Sequence, residues 1–369
     1  MSEHPEVLIL GGGVIGLSTA WFLAEAGVRV AIVDKGDFGQ QASWAGAGIL
    51  SPAHPEHAHK ALDRLHAHSW GMFPSLSRKL REQTGIDNGY LVCGGLELFT
   101  CADAESSEEW RGEGIAFEEL TGDELHRRYP DLSLAVQLAY YLPDMAQVRN
   151  PRHLKALQAA CAARGVSMRP VCPVHRLVCR GNRIESVDTG QGRLTAGRYL
   201  LAAGAWSEAL LEPLGWRLGI RPVRGQIALL NTGTAGVRPL LLCGKRYLVP
   251  RGDGRVLVGS TEEDAGFEAR TTSAAIAELL QFAAALAPNL ADAAVERCWA
   301  GLRPGSPDGK PFLGGVPGVD NLFVAAGHFR AGIQLSPATA LVMKQVLLGE
   351  KPAIPLEEFR LDRPLDPAA

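Results

Sequence analysis

The stretch from residue 7 to residue 34, VLILGGGVIGLSTAWFLAEAGVRVAIVD, decides the fold of this chain. It predicts a strand over Val7–Leu10, a glycine-rich turn, a helix over Leu17–Ala26 and a second strand over Val28–Val33. A strand, a crossover helix and a second strand form the repeating unit of a parallel sheet. The chain therefore begins as an α/β protein.

The glycines of this turn have the G-x-G-x-x-G spacing of a dinucleotide-binding motif, and Asp34 ends the second strand. Gly11 permits the tight turn, Gly13 lets the backbone approach a pyrophosphate, and Gly16 lets the helix pack on the strand. The helix N-terminus offers N–H groups to phosphates, and Asp34 would accept hydrogen bonds from a ribose. The pattern predicts a Rossmann-like domain for FAD or NAD, and a strand–turn–helix that binds nothing is the alternative.

The overall composition excludes several classes of protein. The 37 basic and 40 acidic residues nearly balance, which argues against a nucleic-acid-binding protein and against an acidic disordered tail. Glycine is over-represented among the 369 residues, with 42 copies or about 11% against an average near 7%. Close backbone approach to a ligand is one reason for such a surplus.

The cysteines and the apolar runs bear on the compartment. Seven cysteines are scattered without a C-x-x-C pair, which favours free thiols in a reducing cytoplasm over disulfides or a thiolate zinc site. The first residues lack the pattern of a secretory signal, and no apolar run reaches the ~18–20 residues of a membrane span. We therefore expect a cytoplasmic protein without a membrane span.

The order of predicted elements indicates two interleaved domains. Signals of a parallel sheet occupy residues 1–50, 146–222 and 300–369, which we assign to the nucleotide domain. Residues 51–145 and 223–299 carry strands of antiparallel character, and we assign them to an α+β substrate domain built on a mainly antiparallel sheet.

Prolines mark two helices between these strands. A helix over His57–Arg81 is expected to break at Pro74, because proline lacks an N–H and clashes with the preceding turn. Asn150 is expected to cap a second helix, with Pro151 as its first helical residue.

Two later segments favour FAD over NAD. The strand in TAGRYLLAAG, residues 195–204, would return the chain to the adenosine site. The segment LFVAAGHFRAGIQLSPATALVM, residues 322–343, predicts a strand, a loop and a helix capped by Ser336 with Pro337 in its first turn. A helix N-terminus there would stabilise negative charge on the N1–C2=O edge of a reduced flavin. A well-capped core helix is the alternative interpretation.

Seven further segments add to the opening motif, and the last three of them together are far more specific than that motif. They are SWAGAGIL (43–50), QVRNPRHLKAL (147–157), LLAAGAWS (200–207), PVRGQ (222–226), YLVPRGDGRVLVGST (247–261), WAGLRPGSPDGKPFLG (299–314) and AAGHFRAGIQLSPATA (325–340). With them, nearly the whole chain resembles the glycine oxidases of the thiamine-biosynthesis type. These belong to the D-amino acid oxidase and sarcosine oxidase superfamily of flavoproteins.

The resemblance implies an activity and a cofactor. It implies FAD-dependent oxidation of glycine, sarcosine, D-alanine, D-proline or similar amines, by hydride transfer from Cα to flavin N5. The imine would hydrolyse to an oxo acid, and O2 would be reduced to H2O2. The FAD would be non-covalent, because residues 309–314 lack the cysteine through which some sarcosine oxidases attach flavin, although Cys298 lies upstream. The family also implies a homo-oligomer, namely a tetramer.

The resemblance assigns site residues as well. Arg303 matches the arginine that grips the substrate carboxylate bidentately, Tyr247 the tyrosine that supports this carboxylate, and Arg330 a second arginine beside the flavin. A surface ion pair or ordinary packing is the alternative for each. No acid–base residue is assigned. The residues expected to contact FAD are Gly11, Gly13, Val14, Ile15, Gly16, Asp34, Lys35, Ser43, Ala45, Gly46, Ala47, Gly48, Ile49, Val174, Ala203, Gly204, Trp206, Arg303, His328, Arg330, Ala331, Gly332, Ile333 and Gln334.

Several residues and two other functions remain open at this stage. His328 is interpreted as hydrogen-bonded or packed rather than as a base. Lys245 and Arg246 depart from the family's pattern and bear on the preferred substrate size. A dehydrogenase that passes electrons from D-amino acids to another acceptor, and an NAD-using or non-catalytic nucleotide-binding protein, are the alternative functions. We expect no metal at the histidine cluster, which comprises His54, His57, His59, His66 and His68.

Overall fold

The computed structural model of the protein describes residues 4–99, 105–233 and 238–365. Cys101 and the outermost residues of the predicted nucleotide domain, 1–3 and 366–369, lie outside this part. In the described part the helices are α1 (Val14–Glu25), α2 (Ala42–Ala45), α3 (Ala61–Thr84), α4 (Glu105–Gly112), α5 (Gly122–Arg128), α6 (Asn150–Ala163), α7 (Ser207–Leu211), α8 (Ser273–Leu286) and α9 (Gly332–Leu348).

The strands of the described part form two large sheets and two small ones. They are β1 (Val7–Leu10), β2 (Val30–Val33), β3 (Ile49–Leu50), β4 (Leu91–Val92), β5 (Gly95–Phe99), β6 (Glu118–Thr121), β7 (Leu138–Leu142), β8 (Ala146–Gln147), β9 (Ser167–Arg169), β10 (Val174–Arg180), β11 (Arg183–Thr189), β12 (Gly192–Leu194), β13 (Arg198–Leu201), β14 (Arg221–Asn231), β15 (Leu240–Cys243), β16 (Arg246–Pro250), β17 (Arg255–Gly259), β18 (Ala294–Gly305), β19 (Phe312–Gly315) and β20 (Leu322–Ala326).

The first large sheet has the order β19-β20-β13-β1-β2-β9 and is parallel except at its edge strand β19. Its central strands β1 and β2 are continuous apolar runs because both of their faces are buried. Helices α1, α3, α6 and α9 cover one face, and β10, β11 and α7 pack on the other. The strands come from all three stretches assigned to the nucleotide domain. The domain boundaries themselves stay a prediction.

The second large sheet has the order β18-β14-β17-β16-β15-β5-β7-β6 and is antiparallel except between β15 and β5. The long strands β14 and β18 pair from Arg221↔Gly305 to Asn231↔Ala294. Helix α8 packs on one face, and the other face contributes a separate apolar cluster that includes Ile227 and Tyr247. The predicted fold class, a Rossmann-like α/β domain with a mainly antiparallel second sheet, is confirmed.

One row of directly paired residues crosses the second sheet. Trp299 pairs with Ile227, Ile227 with Gly259, Gly259 with Tyr247, and Tyr247 with Leu242. Directly opposed residues lie on the same face of a sheet. The register therefore places Tyr247 on the face away from α8, and it turns the neighbouring Arg246 toward α8.

The predicted break at Pro74 is wrong, since α3 continues through it to Thr84. Pro74 is exposed, and the Trp70 carbonyl that it leaves without a partner lies on the same side of the helix. The opposite side buries Phe73, Leu76 and Leu80 in the apolar core. This packing holds the helix together across the missing hydrogen bond.

None of the helices within residues 4–99, 105–233 and 238–365 is long and apolar enough to span a bilayer.

Candidate active site

A cavity of about 600 Å³ opens at the carboxyl ends of the parallel strands. Its wall includes Leu10 of β1, Val33 of β2, Ala202 just after β13 and Ala326 of β20. Ligands of open α/β sheets bind at this edge. The cavity continues to the second sheet, where Ile227, Leu242 and Tyr247 line it. Every residue predicted to contact cofactor or substrate lies on its wall except Gly16.

Gly16 shapes the cavity from behind the wall. A Cβ at Gly16 would lie 1.9 Å from the carbonyl oxygen of Gly11, so glycine is needed where α1 crosses the turn. Gly11 itself has φ +115°, and a Cβ there would lie 2.4 Å from the Ala202 carbonyl oxygen. The two glycines bring β1, β13 and α1 close together, in agreement with the packing role expected for Gly16.

Asp34 stabilises the turn at the end of β2. Its carboxylate accepts the Gly12 N–H at 2.7 Å and the Gly36 N–H at 2.9 Å. Burial raises the pKa of this carboxyl, and the two N–H bonds partly oppose the rise. The remaining lone pairs of an ionised carboxylate can accept hydroxyl donors from the cavity.

The end of the cavity near Asp34 also has an aromatic wall. The ammonium of Lys35 lies 3.2 Å from the centre of the Trp206 ring, which packs against Phe267 with ring centres 5.4 Å apart. Burial lowers the pKa of Lys35, while the Asp34 charge opposes this. Val174 completes this wall. We call the part of the cavity around Gly11, Asp34, Lys35, Val174 and Trp206 the nucleotide end.

The loop of residues 43–50 lies between this end and the second sheet, and distant side chains fix it. Ser43 Oγ accepts the Val14 N–H at 3.0 Å, at the start of α1. The Asn150 amide donates to the Ser43 carbonyl at 2.8 Å, and Trp299 Nε1 donates to the Ala45 carbonyl at 3.0 Å. The prediction that Asn150 caps α6 by its side chain is therefore wrong, because that side chain holds the loop and Arg149 is the cap position.

Arg251 is a functional candidate that sequence reasoning missed. Its guanidinium donates to the Ala47 carbonyl at 2.6 Å, to the Val148 carbonyl at 3.2 Å and to the side chain of Gln147. Burial is the main cause that lowers its pKa, to about 10. The segment YLVPRGDGRVLVGST contains this arginine, but its partners lie about a hundred residues or more away in the chain, so spacing gives no signal for the contact.

Helix α9 begins at Gly332, four residues before the predicted cap Ser336. Pro337 has no N–H for the Ile333 carbonyl, and Ser336 Oγ donates to that carbonyl at 2.8 Å instead. The helix therefore tolerates a proline within its second turn, and the prediction of a cap at Ser336 is wrong. The N-terminus consequently lies at Gly332, whose neighbours Ile333 and Gln334 also line the cavity.

His328 precedes this helix and is buried. Its Nε2 lies 3.1 Å from Thr339 Oγ1, and burial lowers its pKa to about 3. The imidazole is neutral at physiological pH and already has a polar partner, in agreement with the interpretation of His328 as a packed, hydrogen-bonded residue.

At the other end of the cavity, Arg303 of β18 projects over β14. Its guanidinium donates to Ser260 Oγ at 2.7 Å and to the Thr261 carbonyl at 3.1 Å. A Cβ at Gly225 would lie 2.2 Å from Arg303 Nη2, so this glycine makes room for the guanidinium. Burial lowers the pKa of Arg303. Among the described residues no carboxylate lies within 4 Å of its side-chain nitrogens.

Tyr247 lies beside this guanidinium. Gly259, its cross-strand neighbour, leaves space for the ring, since a Cβ there would lie 2.6 Å from the Tyr247 hydroxyl oxygen. Burial raises the pKa of Tyr247, and Ser260 and Arg303 oppose the rise. We call the part of the cavity around Arg303, Tyr247 and Ser260 the substrate end.

Arg330 and Lys245 lie at the rim of the substrate end. Arg330 forms an ion pair with Glu262, and the Lys245 ammonium lies 3.3 Å from the same carboxylate. Both cations line the cavity. Glu262 is a second residue that the sequence analysis did not single out.

The family model described as FAD dependent oxidoreductase (DAO) matches residues 6–346. This chain belongs to that family. It is 38% identical to a glycine oxidase of Pseudomonas aeruginosa over 96% of this chain and 97% of that protein. The glycine oxidase structure from Geobacillus kaustophilus is 33% identical, has a TM-score of 0.91, and matches over 98% of this chain and 100% of that one. For the Bacillus cereus glycine oxidase these values are 31%, 0.90, 98% and 99%.

These similarities confirm the resemblance stated from the sequence, and FAD is the cofactor of the family. The cavity fits such a group. Its wall includes both Asp34 and Tyr247, and helices α1 and α9 both begin at this wall. A Cβ at Gly11 or Gly48 would meet backbone oxygens within 2.4 Å, so the wall around the cavity is built of close-packed backbone. Cys298 packs on the α8 side of the second sheet, and no cysteine of the described residues lines the cavity.

One member of the histidine cluster, His66, makes structural contacts. His66 Nε2 lies 3.0 Å from the Ser51 carbonyl, and the Gln334 amide contacts both groups. Within residues 4–99, 105–233 and 238–365, no group of three or more His, Cys, Asp or Glu side chains is arranged to hold a metal ion.

Proposed function

We propose that this protein catalyses the FAD-dependent oxidative deamination of glycine and related small amines such as sarcosine, D-alanine and D-proline. The observation that carries the proposal is the enclosed guanidinium of Arg303, which has no carboxylate partner among the described residues and lies beside Tyr247 on a cavity wall. A buried cation without a counter-ion is expensive unless a ligand supplies the charge. A substrate carboxylate would supply it.

The geometry supports bidentate binding of that carboxylate. Ser260 and the Thr261 carbonyl hold two of the guanidinium nitrogens from behind. A guanidinium has five N–H donors, so further donors remain for two carboxylate oxygens. The Tyr247 hydroxyl would donate a third hydrogen bond. The substrate would then be fixed by one end, with its Cα turned to the centre of the cavity.

When bound, FAD would supply the redox chemistry, namely hydride acceptance from the substrate Cα and reduction of O2. The protein orients the substrate and keeps its amine neutral, because an apolar, dry pocket favours the neutral form. Carbonyls near Gly301 and Arg330 would accept the amine N–H bonds. His328 stays neutral with its ring bonded to Thr339, so we assign it no proton transfer.

The predicted cofactor residues divide along the cavity. The first turn of α1 at Gly13 would bind the pyrophosphate, and Asp34 would accept the ribose hydroxyls. The aromatic wall of Trp206 would border the adenine. The loop of residues 43–50 and the N-terminus of α9 would surround the flavin, where the helix dipole favours negative charge. With no cysteine of the described residues on the wall, we propose that FAD is held non-covalently.

An H2O2-coupled screen of small amines on the purified, FAD-loaded protein tests the function. We expect turnover of glycine or sarcosine with one H2O2 per amine consumed. Oxidation that proceeds only with an added dye or quinone would instead indicate the dehydrogenase. A protein without flavin absorbance even after FAD is added would contradict both. The cytoplasmic location and the homotetramer stay predictions, and gel filtration with light scattering measures the oligomeric state.

A further inference from the structure

The charges around the substrate end do not balance for a simple amino acid. Arg303, Arg330, Lys245 and Arg246 line this end, whereas Asp34 at the nucleotide end is the one acidic residue of the described chain on the cavity wall. The carboxylate of Glu262 contacts both Arg330 and Lys245 from outside the wall. Arg246 pairs with Glu278, and the other three cations of this end have one protein carboxylate among them, which contacts two of the three. A single substrate carboxylate on Arg303 leaves one positive charge at the rim.

The backbone positions two of the residues that form this rim. Lys245 lies at the tip of the two-residue turn between β15 and β16, next to Gly244 with φ +56°. Glu262 follows Thr261, whose Oγ1 accepts the Gln226 N–H at 2.9 Å. The next residue, Glu263, forms an ion pair of 2.5 Å with the buried Arg224. The lysine and the glutamate are therefore presented by anchored segments.

Arg246 differs from Lys245 although the two are adjacent. The register turns Arg246 to the opposite face of the sheet, where its guanidinium lies 3.2 Å from Glu278 and 5.5 Å from the Phe282 ring, both on α8. Although Arg246 also borders the cavity, its charge is matched by Glu278, which lies off the cavity wall. The uncompensated charge at the rim belongs to Lys245 and Arg330.

We propose that the substrate end recognises amines with a second carboxylate, which Lys245 and Arg330 bind in competition with Glu262. This inference rests on the proposed function, since it presumes that Arg303 takes the first carboxylate. Zwitterionic glycine carries no net charge and gains nothing from the rim. A secondary amine with two carboxylates has a net charge of −1 when its nitrogen is protonated, and the rim charge attracts it.

For iminodiacetate, the simplest such amine, the reaction balances with the reactants of the proposed function. Iminodiacetate, O2 and water give glycine, glyoxylate and H2O2. A C–H bond next to nitrogen breaks, its electron pair reduces O2 to H2O2, and water adds to the resulting imine and releases glycine. Because glycine is itself a proposed substrate, initial rates are needed.

A matched pair of substrates tests the proposal. Iminodiacetate and N-(carbamoylmethyl)glycine have nearly the same shape, but only the first carries a second charge. We expect kcat/KM for iminodiacetate to exceed that for the amide by about fivefold at low salt, the range of an exposed ion pair. The ratio should fall toward one as salt screens the rim. A ratio of one or less at low salt would overturn the proposal.

Three variants test whether the preference for iminodiacetate over the amide comes from the charges at the rim. Lys245→Met should lower the ratio about threefold, and Glu262→Gln should raise it about threefold, because each changes the rim by one charge in opposite directions. Arg246→Met is the matched control and should leave the ratio unchanged. Equal effects of Lys245→Met and Arg246→Met would contradict the assignment to Lys245.

Sarcosine separates this proposal from the proposed function. If sarcosine and the amide are oxidised but iminodiacetate is not preferred, only the second carboxylate site is wrong. If none of the three is oxidised by the FAD-loaded protein, the proposed function itself fails.

Discussion

The two ends of the cavity differ in the groups that line them. At the nucleotide end, the turn of Gly11 and Gly13 and the start of α1 offer backbone groups from one short stretch of chain, beside the side chains of Asp34 and Trp206. The substrate end is made of side chains, with Arg303, Tyr247 and Ser260 brought together by the register of a sheet. The comparison teaches that the contacts proposed for the pyrophosphate and the ribose are encoded locally, whereas those proposed for the substrate depend on long-range pairing.

The largest effect is expected from a single methyl group at the nucleotide end. Gly11→Ala places a Cβ 2.4 Å from the Ala202 carbonyl oxygen in a backbone of φ +115°. We expect a loss of at least ~3 kcal/mol in the free energy of unfolding and loss of bound FAD. Urea denaturation and the flavin absorbance of the purified variant measure both.

Gly27→Ala is the matched control. Gly27 also has positive φ, +80°, but nothing lies within 4 Å of an added Cβ. The Gly27→Ala variant should lose only about 1 kcal/mol in the free energy of unfolding and should keep its FAD. Equal behaviour of the two variants would show that the close approach at Gly11 is unimportant.

Arg251 lies behind the loop between the two ends and should affect cofactor binding more than substrate binding. Arg251→Gln leaves the Ala47 and Val148 carbonyls without their donor, and we expect FAD affinity to fall about tenfold. Fluorescence titration of the apoprotein with FAD measures this. Arg255→Gln is the control, because Arg255 pairs with Asp253 and Glu296 nearer the surface. An unchanged FAD affinity in Arg251→Gln would contradict the anchoring role.

His328, on the cavity wall, makes the stability of the fold depend on pH. Its pKa is about 3 in the fold and near 6.5 when exposed, so below pH 6.5 the unfolded chain binds a proton that the folded chain does not. Stability is therefore full above about pH 6.5 and is lost as the pH falls toward 3, by up to ~1.4 kcal/mol per pH unit.

The variant His328→Asn should show a shallower loss in urea denaturation between pH 7.5 and 5. His153, whose pKa is about 4 because of burial, titrates in both proteins and cancels in the difference. Superimposable pH profiles of the two proteins would contradict a buried neutral His328.

The smallest effect is expected from the loss of the Tyr247 hydroxyl at the substrate end. Tyr247→Phe removes one hydroxyl from the proposed carboxylate contact, so KM for glycine should rise about 3–10-fold with FAD affinity unchanged. Tyr141→Phe, on β7 of the same sheet, should leave steady-state kinetics unchanged. A weakened FAD affinity in Tyr247→Phe would contradict the assignment of Tyr247 to the substrate end alone.

The sequence predicted local features well and long-range ones poorly. The opening strand, turn and helix follow from periodicity and glycine spacing within 28 residues, and the structure contains them. The wrong predictions concern Pro74, Asn150 and Ser336, where the local rule was overruled by burial of a helix face, by a carbonyl across the loop, and by a helix that starts one turn earlier. Arg251 and Glu262 were missed for two reasons. Their partners are distant in the chain, or the residue types involved are too common to give a signal.

The resemblance helped where local chemistry did not. Arginine and tyrosine are common residues, and no spacing rule marks Arg303 or Tyr247 as neighbours. The pairing of β14 with β18 and of β16 with β17 places them together, as the family's pattern implied.

One measurement tests the central division between the two ends most directly. On a single preparation of Arg303→Ala, the dissociation constant of FAD and kcat/KM for glycine are determined together. We predict an FAD affinity within about twofold of the wild type and a kcat/KM at least ~100-fold lower. Wild-type kinetics, or loss of FAD in parallel with activity, would contradict the account.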